Sequence, residues 1–237
     1  METGWHFRAK ERMIIRLKSI LMVATFVVMG NIFAVTPQRV SASVAPGQVI
    51  TVEAQSGQSE VAVVRIWQRT SSGHYRQVDG PFRAFVGIHG VGPTREGLGR
   101  TPVGVFTLTQ AFGNRASDNT KMPYFRAGPD DWWDESPSSA QYNHHVKSRF
   151  SPGGNSENLY DAGGVYAHAV VINYNTDPIV KGAGSGFFLH VSGGRPTRGC
   201  VSISAKDLNI VLHWLNPVLH PSISIGVGAR ALAVVKI

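Results

Sequence analysis

A mostly β fold, a sandwich or barrel with one short helix after the only cysteine, is the architecture the sequence predicts. Three observations predict it. Short apolar runs recur between clusters of Gly, Ser, Asn and Pro, the pattern of strands bounded by turns. Glycine numbers 26 among 237 residues, above the usual ~7% and unfavourable to long helices. Only one segment repeats apolar residues at helical spacing with a cap before it and a proline after it. A hydrophobic share of 43% suits one globular domain with an appendage and excludes a disordered chain.

The appendage comes first. Residues 1–42 carry Arg8, Lys10, Arg12, Arg16, Lys18 and Arg39 against Glu2 and Glu11, and the apolar run over 20–35 is broken by Gly30 and Asn31. A basic stretch, an apolar stretch shorter than the ~20 residues of a spanning helix, and small residues after it read as an export leader, with an uncleaved membrane anchor as the rival reading. Val40 and Ala42 supply small residues for cleavage, with Ser43 and Ala45 as a second choice. The expected division is a signal peptide over 1–42 and one domain over 43–237. The domain is then expected in the periplasm or cell wall, meeting a membrane only during export.

Strands are predicted over 48–52, 61–68, 82–86, 104–109, 167–174, 186–191, 222–227 and 232–237, each a short or alternating apolar run closed by turn residues. From 115 to 156 the apolar rhythm fails and Trp132, Trp133, Tyr142, His144 and His145 stand among polar residues. The expectation there is a long loop, with Trp132, Trp133 and Asp134 either a substrate lid or the anchor that packs it. Ser204 caps the one helix, Asp207 sits near its positive end, and Leu208, Val211, Leu212 and Leu215 line one face until Pro217.

Charge and cysteine content exclude several function classes. The net charge of +8 includes the leader; beyond it 17 basic residues face 13 acidic ones, scattered rather than striped. Nucleic acid is therefore not an expected partner. One cysteine among 237 residues excludes an internal disulfide framework and a Cys-rich metal site. Neither His168 nor the His144–His145 pair has zinc spacing, so no metal and no cofactor is expected.

The chemistry concentrates between Phe187 and Ser202. An apolar strand ends in His190, a turn of Gly193, Gly194 and Pro196 reverses the chain, and Gly199 precedes Cys200. A thiol of ordinary pKa near 8.5 is mostly protonated at neutral pH, and an imidazole that takes its proton makes it a nucleophile. His190 is the candidate base, and N–H groups around Gly199 and Cys200 are candidate oxyanion donors. On residues alone two readings stay open, a catalytic pair and a buried structural thiol beside an ordinary strand-end histidine.

Leu189-His190 followed by Thr197-Arg198-Gly199-Cys200-Val201 resembles the catalytic motif of the L,D-transpeptidases, the YkuD-type enzymes of bacterial peptidoglycan. Upstream, Thr101-Pro102-Val103-Gly104-Val105-Phe106 is similar to that family's Thr-Pro-x-Gly-x-Phe strand. The resemblance spans roughly 49–228 and implies a YkuD-like β-sandwich. It also implies a Cys200 nucleophile with His190 as base, and peptidoglycan stem peptides as partner and substrate. D-Ala would be released through a thioester acyl-enzyme and cross-links formed. The chain departs from many members at Val191, at Arg198 in place of a second histidine, and in a shorter spacer. It thus resembles a divergent exported branch.

Arg198, Gly199, Ser192, Tyr174 and His168 complete the candidate site as substrate-binding residues. Arg198 either lowers the thiol pKa or holds a carboxylate, with a plain surface arginine as the rival reading. His168 is either a second imidazole near the thiol or a packed strand residue, and Tyr174 either lines a cleft or ends a strand. Two further functions stay open: an L,D-carboxypeptidase, in which water replaces the acceptor, and a non-catalytic envelope module that binds peptidoglycan. Oligomeric state is open as well.

Overall fold

The computed structural model describes residues 45–117 and 119–236. The leader read over 1–42 lies outside the described residues. Fifteen strands and one α-helix follow in order: β1 Gln48–Ala54, β2 Val61–Arg69, β3 Tyr75–Phe85, β4 Val91–Gly92, β5 Thr101–Pro102, β6 Gly104–Thr107, β7 Ala111–Gly113, β8 Tyr124–Arg126, β9 Asp131–Asp134, β10 His144–Lys147, β11 Glu157–Asn158, β12 Ala169–Val171, β13 Phe188–Val191, β14 Val201–Ile203, α1 Ala205–Trp214 and β15 Ser222–Val227. Ten of them form one large curled sheet in the order β6-β15-β1-β2-β3-β14-β13-β12-β7-β8. Among the described residues the predicted mostly β class with one helix is what the chain adopts.

Two apolar layers hold the sheet. On one side Ile50, Val52, Val64, Ile66, Leu189 and Ile203 pack with Leu208, Val211 and Leu212 of α1. On the other, Phe112, Trp133, Leu159, Tyr166 and Phe188 form a mostly aromatic cluster. Strand side chains alternate between faces, so single strands feed both layers: Leu189 enters the first and Phe188 the second. α1 starts where predicted because the Ser204 side chain accepts from the Asp207 N–H at 3.1 Å, satisfying a donor that the first helical turn leaves without a partner.

Several expectations need correction. The stretch over 115–156 is not a loop: it contains β8, β9 and β10, and β9 and β10 join β11 just beyond it in a three-stranded sheet of order β10-β9-β11. It holds because Trp133 is buried and donates from Nε1 to Asn143 Oδ1 at 3.0 Å, while Trp132 donates to the Ser148 carbonyl at 3.0 Å. Of the two roles considered, Trp132, Trp133 and Asp134 take that of the anchor. β3 begins at Tyr75 rather than 82, since its polar exposed start lacks apolar alternation yet pairs with β2 as far as Arg69↔Tyr75. The strand expected over 232–237 is a 3-10 turn at Ala233–Val235, with Val235 N–H bonding back to the Leu232 carbonyl. The predicted 167–174 strand contracts to β12, flanked by a 3-10 turn at Gly163–Tyr166.

Candidate active site

β13 and β14 are parallel neighbours with Leu189 opposite Val201 and His190 opposite Ser202. The turn over 192–200 therefore carries the chain back along β13 before β14 begins. Cys200, one residue ahead of Val201, falls level with Phe188, and His190 stands two residues further on the same face. Strand spacing of ~4.8 Å and a two-residue rise of ~6.7 Å put the two backbones roughly 8 Å apart. The strand-turn segment thus brings Cys200 and His190 to one face of the strand pair. No hydrogen bond joins the two side chains.

Each has a defined setting. The His190 Nδ1 hydrogen-bonds the Val191 carbonyl at 2.9 Å; as donor to that oxygen it leaves Nε2 as the unprotonated, accepting nitrogen. The ring is buried and meets the Tyr166 ring edge-on at 5.3 Å. Burial pushes the His190 pKa down, against a smaller upward pull from the Val191 and Val165 backbone, so the ring is neutral at neutral pH. Cys200 keeps a partial opening onto the cleft while its sulfur accepts from the Phe188 N–H and donates to the Gly186 carbonyl, both at 3.3 Å. Burial, then the Glu157 carboxylate, push the thiol pKa well up, against weaker downward pulls from the Phe188 N–H and Tyr166. The resting sulfur is a thiol.

The Thr-Pro motif has a structural reason. Thr101 Oγ1 donates to the Cys200 carbonyl at 3.3 Å and accepts from the Gly87 N–H at 2.8 Å, while Thr197 Oγ1 donates to the same Cys200 carbonyl at 2.6 Å. Two threonines 96 positions apart in the sequence thus hold the Cys200 backbone. Gly199 has φ +142°, and a Cβ there would lie 2.7 Å from the Phe187 ring, so this position admits no side chain. Its N–H donates to Thr197 Oγ1 at 3.1 Å, which corrects the expectation that it waits for an oxyanion.

The thiol opens into a cleft of about 190 Å³ lined by Glu96, Glu135, Glu157, Phe187, Arg198 and Gly199, among others. Arg198 and Gly199 thus belong to the site. Ser192, Tyr174 and His168 do not line the cleft. Ser192 Oγ accepts from the Gly194 N–H within the turn. Tyr174 packs edge-on against Phe187 and donates to the Ala183 carbonyl, supporting the cleft wall from behind. His168 pairs with the Ala116 carbonyl at 2.7 Å, as a packed residue does. Arg198 acts on the carboxylates rather than on the thiol: its charge pulls the pKa of both Glu135 and Glu157 down against their burial.

Sequence reasoning missed the three glutamates and Tyr166. Glu96 Oε2 accepts from Tyr142 at 2.5 Å and from Ser185 at 2.6 Å, and Glu157 Oε2 accepts from Tyr166 at 2.5 Å. These residues are spread over 96–166, on β11, a 3-10 turn and irregular segments, and carry no local motif. A cluster of acids in a chain of positive net charge became visible only with the fold.

These features define a mostly β domain with a thiol at the floor of an acid-lined cleft. The YkuD family, L,D-transpeptidase catalytic domain, matches residues 50–228, and the chain belongs to it. With that membership comes an L,D-transpeptidase-type function directed at peptidoglycan. No curated protein matches the chain.

Proposed function

We propose that the protein is an exported cysteine L,D-transpeptidase that works through a thioester on Cys200. The observation that supports this most is that one strand-turn-strand segment sets the Cys200 sulfur at the cleft floor on the face of a neutral histidine whose Nδ1 is held by a carbonyl. In this reading His190 Nε2 takes the thiol proton as the sulfur attacks the carbonyl between the third residue of a stem peptide and its terminal D-Ala. The C–N bond breaks, the leaving nitrogen takes the proton back from His190, and D-Ala departs. An acceptor amine then attacks the thioester carbonyl, gives its proton to His190, and the sulfur leaves to be reprotonated. Because burial raises the thiol and lowers the imidazole, the ion pair does not form at rest; proton transfer accompanies attack on bound substrate.

Incubation with a disaccharide tetrapeptide should release D-Ala and yield dimers by mass spectrometry. Cys200→Ala should lower release at least about a thousandfold, as expected for loss of a covalent nucleophile. Undiminished release in that variant overturns the nucleophile. A carbapenem should add one acyl group to the wild type alone. The N-terminal residue of protein recovered from outside the cytoplasm tests export and places cleavage.

A further inference from the structure

Glu135 stands apart from its neighbours in the cleft. It is only 8% exposed, and among the described residues nothing hydrogen-bonds its carboxyl group. A Cβ at Gly186 would lie 1.8 Å from Glu135 Oε1, so the carboxyl fills the space that this glycine leaves. The Gly186 carbonyl in turn accepts from the Cys200 thiol. Among the described residues the sealed polar side-chain atoms without a partner are Ser202 Oγ and Trp214 Nε1; the Glu135 carboxyl instead faces the cleft, where a ligand can bring it donors. Glu96 and Glu157 line the same cleft with one oxygen each already satisfied by tyrosine or serine, and Arg198 lines it as an exposed guanidinium.

The donors wanted are several on one small cation. Among the described residues no group of three His, Cys, Asp or Glu side chains is gathered closely enough to hold a metal ion. An ammonium on an alkyl chain suits the cleft better: it carries three N–H donors and bonds to acceptors further apart than a metal's coordination shell allows. We infer that Glu135, flanked by Glu157 and Glu96, forms a subsite for a primary ammonium group and selects the amine-bearing acceptor. The subsite stands on cleft geometry; its label as acceptor site rests on the reaction proposed above.

Entry of the cation should be linked to a proton. Burial first, then the Glu157 and Glu96 charges, push the Glu135 pKa up to about 9, with Asp134 adding to this and Arg198 opposing it; Cys200 and Tyr166 are the other titrating groups within its field. Glu135 is thus protonated in the empty cleft, and a bound ammonium favours its ionised form. Binding then releases a proton, and affinity rises as pH rises toward 9.

The test uses Cys200→Ala protein, which cannot turn over, titrated by NMR with 1,5-diaminopentane and with 1-pentanol as the uncharged chain. The diamine should bind at least about tenfold more tightly, with affinity increasing up to about tenfold per pH unit between 6 and 8. Adding Glu135→Gln should remove most of the preference and flatten the pH dependence, and Glu135→Asp should restore part of both. Equal binding of diamine and alcohol, or a flat pH profile in the Glu135-containing protein, overturns the subsite even if the Gln variant fails to fold. Diamine binding with this profile, in a protein whose wild type releases no D-Ala, supports the subsite and overturns only the reaction.

Discussion

On one face of β13 and β14, Leu189, Val201 and Ile203 are fully enclosed and meet α1. On the other, Phe188 and His190 meet the Tyr166 ring, Cys200 packs against the aromatic cluster and lines the acid-lined cleft, and Ser202 is buried beside His190 in the register. The same seven residues of chain thus carry an all-apolar layer and a layer in which a titratable ring and a thiol sit among aromatics. The first gains from closing completely, because apolar area removed from water stabilises at roughly 25 cal/mol per Å². The second leaves the sulfur open to the cleft, as the proposed reaction requires, and its polar groups are held by backbone: Val191 for the ring, Phe188 and Gly186 for the thiol. Stability and reactivity are assigned to opposite sides of one strand pair.

Substitutions on the two faces should therefore fail differently. On the cleft face, His190→Ala should lower D-Ala release by about 10²–10⁴-fold, the range for loss of a general base, with far-ultraviolet circular dichroism unchanged. On the core face, Leu189→Ala should cost about 2–5 kcal/mol in denaturant unfolding. Its residual folded fraction should keep thiol alkylation kinetics close to wild type. If Leu189→Ala changed sulfur reactivity as much as His190→Ala does, the separation of faces would be lost.

Proton linkage sharpens the contrast with smaller effects. Glu135 is protonated in the folded cleft at pH values where the unfolded chain ionises it, so the wild type loses up to roughly 1 kcal/mol per pH unit above the ordinary carboxylate range. Glu135→Gln lacks this linkage, and its unfolding midpoint should gain on the wild type between pH 5 and 8. A constant difference across that range would break the assignment. His190 works in the opposite direction: it is neutral when folded, so the unfolded chain alone takes a proton below about pH 6.5. Stability should drop there in the wild type and less in His190→Ala.

Much of this arrangement could be read before the fold was known. The Ser204 cap and the leucine spacing located α1, and the 222–227 run matches β15 because alternation there is unbroken. The His-turn-Cys segment was legible because a short turn limits where the chain can go. Its partners in the aromatic layer were not. Tyr166 and Glu157 reach the thiol through a 3-10 turn and a two-residue strand, elements too short to leave a period. β9 was hidden because Asp131-Trp132-Trp133-Asp134 lacks apolar alternation, its indoles being held by hydrogen bonds. The residue before each tyrosine or acid gives no sign of which loop it will face.

The double grip of Thr101 and Thr197 on the Cys200 carbonyl makes the two motifs one mechanical part. An expression split anywhere between residues 107 and 186 would leave Thr101 in one fragment and Thr197 with the sulfur in the other. Recovery of thiol acylation on mixing such halves would then report reassembly of the fold directly, without any engineered reporter.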